Sequence, residues 1–250
     1  SGDGRTNRYD VEAGNNTYDN AVIENSKISE KNKIQNNQSM LDDIMNSTQY
    51  PKQLKDLALK NEEALEFVYD YPAEHVKEHT IDLTEEASMD SVPLFVQWDK
   101  RWGYEKYSGN FFAASGCGTT TLSMVVVYLT HNREASPIAV AKYSKEAGYS
   151  VDGSGSSWTL ISEGCMHYGV KAKSVALDES RMKAELDEGH PIVVNVGPGD
   201  FTDTGHFMVI TGYDDEGFSI NDPNSIEKSG KRWLFKNISS QIRAVWSMYV

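Results

Sequence analysis

A glycine turn with a cysteine in its middle leads into the most apolar stretch of this chain. Cys117 lies within Ser115-Gly116-Cys117-Gly118, and residues 122–129 are almost all apolar. This pattern predicts a buried helix whose first turn carries the thiol. Unpaired amides and the helix dipole at such a position favour thiolate over thiol. The sequence therefore predicts a nucleophile, and the alternative is a small cysteine packed in a core.

The hydrophobic pattern changes its period along the main part of the chain. Helical patterns come first, and patterns typical of strands follow. The predicted helices cover residues 115–130, 137–147 and 180–188, with another through His167, and the predicted strands cover residues 191–196, 206–213, 217–221 and 242–249. Residues 92–96 are expected to form a short strand or an extended entry. Helices followed by a sheet predict an α+β domain.

Three parts of the chain differ in composition. Residues 1–50 are acidic and rich in asparagine, and we interpret them as a linker or stalk with short helices around Ile23–Ile34 and Met40–Met45. Residues 51–90 contain a helical lead-in segment, which ends in an acidic connector. Residues 91–250 form the main domain.

The charge of the chain excludes some classes of partner. The formal net charge is −13, of which residues 1–90 contribute 9 basic minus 19 acidic, or −10, and residues 91–250 contribute 15 minus 18, or −3. An acidic chain of this kind is not expected to bind nucleic acid or anionic lipid. No apolar run approaches the ~20 residues that cross a bilayer, so we expect no membrane insertion. Two cysteines do not make a disulfide framework, although a single bridge between them remains open.

A histidine and an aspartate are predicted to meet on one hairpin. His206 opens a strand after Thr204-Gly205, whereas the other histidines lie in the acidic connector, in helices or in a turn. Residues 214–217 read as a turn, so pairing of Tyr213 with Phe218 would bring Asp222 to the same end of the hairpin, about three residues out of register with His206. Asp222 could orient the imidazole toward the thiol, or it could simply cap a local turn.

The remaining candidates are an oxyanion donor and a metal site. The amide of Cys117 is one natural donor, and Gln97, which precedes the nucleophile, is a second. The alternative for Gln97 is an ordinary hydrogen-bonding role. The chain lacks a CxxC spacing, and its HxxxH pair, His75 and His79, lies in the acidic connector region, where we expect solvated side chains. We therefore expect neither a metal nor another cofactor.

These residues resemble a bacterial family related to the bacteriocin-processing, double-glycine leader peptidases. The resemblance spans about residues 50–250 and rests on four motifs. They are Pro93-Leu94-Phe95-Val96-Gln97-Trp98-Asp99-Lys100-Arg101-Trp102-Gly103-Tyr104, Ser115-Gly116-Cys117-Gly118, Gly205-His206-Phe207 and Asn221-Asp222-Pro223-Asn224. Two departures are visible: Thr119 stands where the family usually has proline, and Gln97 lies farther from Cys117 than in the leader peptidases. These 250 residues include no transporter domain of the kind fused to those enzymes, so we do not expect export of a bacteriocin.

The resemblance implies a papain-like fold and a cysteine peptidase with a peptide or protein substrate. It implies Cys117 as nucleophile, His206 as base, Asp222 as the residue that orients the base, and Gln97 as oxyanion donor. We also expect a monomer at the outside or surface of a Gram-positive-like bacterium. Two alternatives stay open: a cell-wall amidase or acyl transferase with the same triad, and a binding module that has lost catalysis.

Overall fold

The computed structural model describes residues 12–250, with side chains from residue 17 onward. Many of its helices are short, and a few are longer. The α-helices are α1 (Glu12–Asn46), α2 (Lys52–Lys60), α3 (Leu65–Tyr69), α4 (Tyr71–Glu74), α5 (Thr84–Ala87), α6 (Phe112–Ser115), α7 (Cys117–Thr130), α8 (Pro137–Glu146), α9 (Thr159–Ser162), α10 (Glu179–Asp187), α11 (Ile226–Ser229) and α12 (Phe235–Ile238). Three 3₁₀ turns span Glu62–Ala64, Gly164–Tyr168 and Ser239–Gln241.

The strands form one main sheet and two small hairpins. They are β1 (Lys106–Tyr107), β2 (Asn110–Phe111), β3 (Ser150–Val151), β4 (Gly155–Ser156), β5 (Lys171–Ser174), β6 (Ile192–Val196), β7 (His206–Asp214), β8 (Gly217–Asn221), β9 (Arg232–Trp233) and β10 (Ile242–Tyr249). Within the described residues, six of them pair in the order β5-β10-β6-β7-β8-β9, and each neighbouring pair is antiparallel. The α+β prediction is confirmed.

Both faces of the main sheet are covered, and this explains the unbroken apolar run in β7. Phe207 and Val209 face the core that contains α7, whereas Met208 and Ile210 face a second core beneath α10 and α12. A strand buried on both faces reads as a continuous hydrophobic run. Helix α7 is buried over most of its length and packs against β7, so the helix that carries the cysteine is fixed to the strand that begins with the histidine.

The N-terminal part forms more regular structure than the sequence predicted. Instead of two short helices, residues 12–46 form the single helix α1, because no proline interrupts the stretch and its lysine, glutamate and glutamine residues tolerate a helix. Residues 17–36 are exposed, and packing begins near Met40 and Ile44. Residues 1–11 of the predicted linker lie outside the described part. None of the helices described is long and apolar enough to span a membrane.

The lead-in segment, residues 51–74, packs against the main domain. Its buried side chains join those of the α6 region in a third core. This core contains Ile44, Leu54, Leu57, Ala58, Ala64, Leu65, Phe67, Val68, Phe111 and Ala113. Residues 92–96 carry no regular secondary structure and pair with no strand in the described chain, so they do not form the predicted short strand.

Candidate active site

Cys117 occupies the first position of α7, as the sequence predicted. Gly116 precedes the helix as its N-cap residue, and a Cβ atom added there would lie 2.5 Å from the ring of Phe112. On the other side, a Cβ atom on Gly118 would lie 2.9 Å from the Ser156 side chain and 3.3 Å from Phe207. The two glycines therefore allow the backbone around the thiol to approach both the α6 region and the sheet.

His206 and Asp222 meet at one end of the β7–β8 hairpin. Nε2 of His206 and Oδ1 of Asp222 are 2.7 Å apart, and both side chains are more than nine-tenths buried. With Nε2 donating to the carboxylate, the other ring nitrogen, Nδ1, remains for the thiol. The structure therefore brings together the histidine and the aspartate that the sequence placed on one hairpin.

The register of this hairpin differs from the prediction by one residue. Tyr213 pairs with Phe218, as expected, but the pairing shifts between Ile210 and Gly212, so that Val209 lies opposite Asn221. The extra residue belongs to β7. The position opposite Asp222 is therefore two residues from His206 rather than three.

Asp222 also caps a local turn. Its Oδ1 atom accepts a hydrogen bond from the backbone N–H of Asn224 at 2.8 Å, in addition to the bond from His206. The backbone N–H of Ser225 reaches the carbonyl of Asp222 at 3.2 Å. The turn and the histidine contact were alternative interpretations of this residue, and here one carboxylate oxygen serves both.

The thiol and the imidazole affect each other's protonation. Burial opposes the charge on both groups, but hydrogen bonding to His206 and the charge of its ring lower the pKa of Cys117, and the Phe207 amide adds to this effect. Burial likewise disfavours the imidazolium, yet the Asp222 charge and hydrogen bond, together with Cys117, raise the pKa of His206 to about 10. Opposite shifts of this kind favour a thiolate–imidazolium pair.

Cys165 provides a contrast within the same chain. It is fully buried, and burial raises the pKa of its thiol to about 11. Both Cys165 and Cys117 are free cysteines, and only Cys117 is partly exposed. The pKa shifts of the two thiols therefore have opposite directions.

Gln97 lies beside the same cavity as Cys117. Its backbone N–H donates to the carbonyl of Pro223 at 2.7 Å, and its Nε2 donates to the carbonyl of Ala113 at 2.9 Å. An amide nitrogen carries two hydrogens, so one remains for a further acceptor. The position of Gln97 is compatible both with a role as oxyanion donor and with an ordinary hydrogen-bonding role.

A cavity of about 500 Å³ opens onto the thiol and the imidazole. Its walls come from separate stretches of the chain: the lead-in, Gln97, the region from Asn110 to Cys117, the loop at residues 199–205, and the turn after β8. The lead-in contributes Gln53, Asp56, Leu57, Lys60, Asn61 and Glu63. These wall residues were missed in the sequence, because nothing in a helical leucine pattern indicates which polar side chains will face a distant site.

Comparisons with known proteins give the following results. A family model described as "Peptidase_C39 like family" matches residues 89–250. Among solved structures, the peptidase domain of Streptococcus ComA, a bi-functional ABC transporter involved in a quorum sensing pathway, is 18% identical with a TM-score of 0.44, and the match covers 63% of this chain and 96% of that one. A putative C39-like peptidase from Bacillus anthracis is 18% identical with a TM-score of 0.39, and the match covers 64% and 95%. No curated protein matches the chain.

The family assignment rests on the family model, which covers well over half of the chain. It agrees with the resemblance seen in the sequence and with the papain-like, α+β arrangement of a cysteine-bearing helix on an antiparallel sheet. The chain belongs to the C39-like peptidase family.

Proposed function

We propose that this protein is a cysteine peptidase that hydrolyses peptide bonds with Cys117, His206 and Asp222 as its catalytic triad. The observation that carries the proposal is the buried 2.7 Å contact between His206 and Asp222 beside a partly exposed thiol whose pKa is lowered. A nucleophile, a base and a group that orients the base are the parts that covalent acyl transfer requires.

The proposed reaction uses these groups in two halves. The Cys117 thiolate attacks the substrate carbonyl, and the Cys117 amide with Gln97 stabilises the oxyanion. The His206 imidazolium then gives its proton to the leaving amine, and a thioester remains on the sulfur. In the second half, neutral His206 takes a proton from water, the hydroxide adds to the thioester, and the sulfur leaves as thiolate while the acid product departs. Asp222 orients the ring and stabilises its charge throughout.

A peptide-cleavage profile tests the proposal. The wild-type protein is incubated with a peptide library beside Cys117→Ala and the matched control Cys165→Ala. We expect Cys117→Ala to lose cleavage by about 10³-fold or more, and Cys165→Ala to retain it if it is folded. Cleavage that survives in Cys117→Ala would refute the proposal.

The same experiment addresses the alternatives. If the wild type cleaves no peptide but releases fragments from cell-wall material in a manner that depends on Cys117, the same triad acts on another acyl group. If neither substrate reacts and Cys117 shows an ordinary thiol pKa near ~8.5, the chain is a binding module.

A further inference from the structure

The turn that carries Asp222 is held from outside the matched family region. Glu63, in the lead-in, accepts hydrogen bonds from the Ser225 hydroxyl, from the Ile226 amide at 2.9 Å and from the Glu227 amide at 3.0 Å. Three bonds to one carboxylate fix the chain directly after the catalytic aspartate. Charge-assisted bonds of this type are stronger than neutral ones.

A second lead-in residue holds the same turn one position earlier. Nδ2 of Asn61 donates to the carbonyl and to the side-chain oxygen of Asn224, both at 3.1 Å. The backbone N–H of Asn224 in turn donates to Oδ1 of Asp222. Asn61 also accepts a bond from the Glu63 amide through Oδ1, so the two lead-in residues support each other.

These contacts form a continuous series from the lead-in to the imidazole. Asn61 donates to Asn224, and the Asn224 amide shares Oδ1 of Asp222 with His206. His206 in turn is the group that lowers the pKa of Cys117. The family model begins at residue 89, and therefore the first members of the series lie outside the region it matches.

We infer that Glu63 and Asn61 are positioning residues for the triad, and that the lead-in is a working part of the catalytic unit rather than a spacer. The inference rests on the proposed function, since it assigns these residues to the orientation of Asp222. The lead-in also lines the cavity, so the same segment holds the aspartate and forms one wall of the cleft.

The expected effect concerns the protonation of the pair. Asp222 bonds the His206 ring directly and its charge raises the pKa of His206, so it favours the thiolate–imidazolium form over the neutral thiol–imidazole form. If Glu63 or Asn61 no longer holds the turn, Asp222 is less well placed, and the thiolate–imidazolium form is less strongly favoured. Near neutral pH, less thiolate is then present, and the thiol ionises only near its ordinary range.

The test measures the rate at which iodoacetamide alkylates Cys117 as a function of pH, with peptide mapping to separate Cys117 from Cys165. The variants are Glu63→Ala, Glu63→Gln and Asn61→Ala in the full chain. The control is Glu62→Gln, a neighbouring carboxylate that bonds Asn37 on α1 instead of the turn.

At about pH 6.5 we expect Glu63→Ala to slow the alkylation of Cys117 by about tenfold. Glu63→Gln retains an acceptor for the two amides and should stay within about threefold of wild type. Asn61→Ala should also slow the reaction, and Glu62→Gln should not. A merely structural role would lower the unfolding temperature without changing the pH profile of a folded variant.

An unchanged Cys117 profile in folded Glu63→Ala would overturn the inference, and if that variant does not fold, folded Asn61→Ala decides by the same criterion. This result is separate from failure of the proposed function. If the wild-type thiol already titrates near ~8.5, the function fails, whereas a lowered wild-type pKa with insensitive variants removes only the role of the lead-in.

Discussion

At the scale of single residues, one carboxylate oxygen of Asp222 bonds both a side chain of the candidate site and the backbone of a turn. Oδ1 of Asp222 accepts bonds from the His206 ring and from the Asn224 amide. An Asp-Pro-Asn sequence is a good turn former, and an aspartate near a histidine is a good orienting group. The turn therefore fixes the carboxylate in the position where the histidine needs it.

The pH dependence of activity follows from the two shifted groups. Catalysis by the ion pair requires thiolate and imidazolium together. As the pH falls through the lowered pKa of Cys117, the thiolate takes up a proton and activity is lost; as the pH rises through about 10, His206 loses its proton and activity is lost again. We expect kcat/KM to form a bell whose acid limb lies below the ~8.5 of an ordinary thiol.

Cys165 serves as an internal reference for this prediction. Its pKa of about 11 and its burial leave almost no reactive thiolate at neutral pH. Iodoacetamide at about pH 6.5 should therefore label Cys117 at least about a hundredfold faster. Equal rates for the two cysteines in the folded protein would contradict the assignment of the nucleophile.

Gln97 permits a test of oxyanion stabilisation that is separate from thiolate formation. Because its free amide hydrogen would serve only the transition state, Gln97→Ala should lower kcat by about 10²–10³-fold. The pH profile of Cys117 alkylation should stay as in the wild type, since Gln97 makes no bond to the thiol or the imidazole in the described contacts. A kcat equal to that of the wild type would leave Gln97 as an ordinary hydrogen-bonding residue.

At the scale of elements, the close approach of α7 to β7 sets the distance between sulfur and imidazole. A methyl group on Gly118 would lie within 3.3 Å of Ser156 and Phe207, and Phe207 directly follows His206. Gly118→Ala should push the helix away from the strand, cost about 1–3 kcal/mol of unfolding free energy and slow alkylation of Cys117.

The matched control for this substitution is Gly212→Ala in strand β7, where an added Cβ atom would meet nothing within 4 Å. Denaturant unfolding of the two variants gives the comparison. If both variants match the wild type in stability and in alkylation rate, the packing of α7 does not depend on this glycine.

The longer elements were predictable from the sequence, and the short ones were not. Strands β6, β7, β8 and β10 and the helices that begin at Cys117 and Pro137 agree with the predicted segments within a few residues, because their hydrophobic periods are strong. Edge strand β5 was missed because its Lys-Ala-Lys-Ser sequence carries no apolar alternation, and the pairs β1–β2 and β3–β4 span two residues each. Such elements form through tertiary contacts that local sequence does not record.

At the scale of the whole molecule, the exposed and the packed parts of α1 should contribute differently to stability. Residues 17–36 of α1 are exposed, whereas Ile44 is fully buried against the lead-in. Ile34→Ala, at an exposed side chain of α1, should leave the unfolding temperature within about 2 °C of the wild type. Ile44→Ala should lower it by about 5 °C or more. Differential scanning calorimetry compares the two variants, and a large loss in Ile34→Ala would contradict this division.

The sequence could reveal the parts of the candidate site that lie in the main domain, but not the parts that lie in the lead-in. Cys117, His206, Asp222 and Gln97 lie in the main domain, where each stands next to a glycine, a strand start or an aromatic motif that marks it. Glu63 lies about 160 residues before the turn it holds, and its neighbours in sequence suggest only a helix. Contacts over such separations depend on how cores pack, and a single sequence does not reveal that packing.

The extra residue in β7 has a consequence for how this hairpin can vary. Residues directly across an antiparallel ladder share a face, and faces alternate along each strand. With Thr211 unpaired, Asp222 falls opposite Met208, an even step from His206, and thus on the same side of the ribbon. If Thr211 paired regularly and the bulge were absent, Asp222 would fall opposite Val209, an odd step from His206, and would turn to the far side. The bulge is therefore what allows the histidine and the aspartate to share one face of this hairpin.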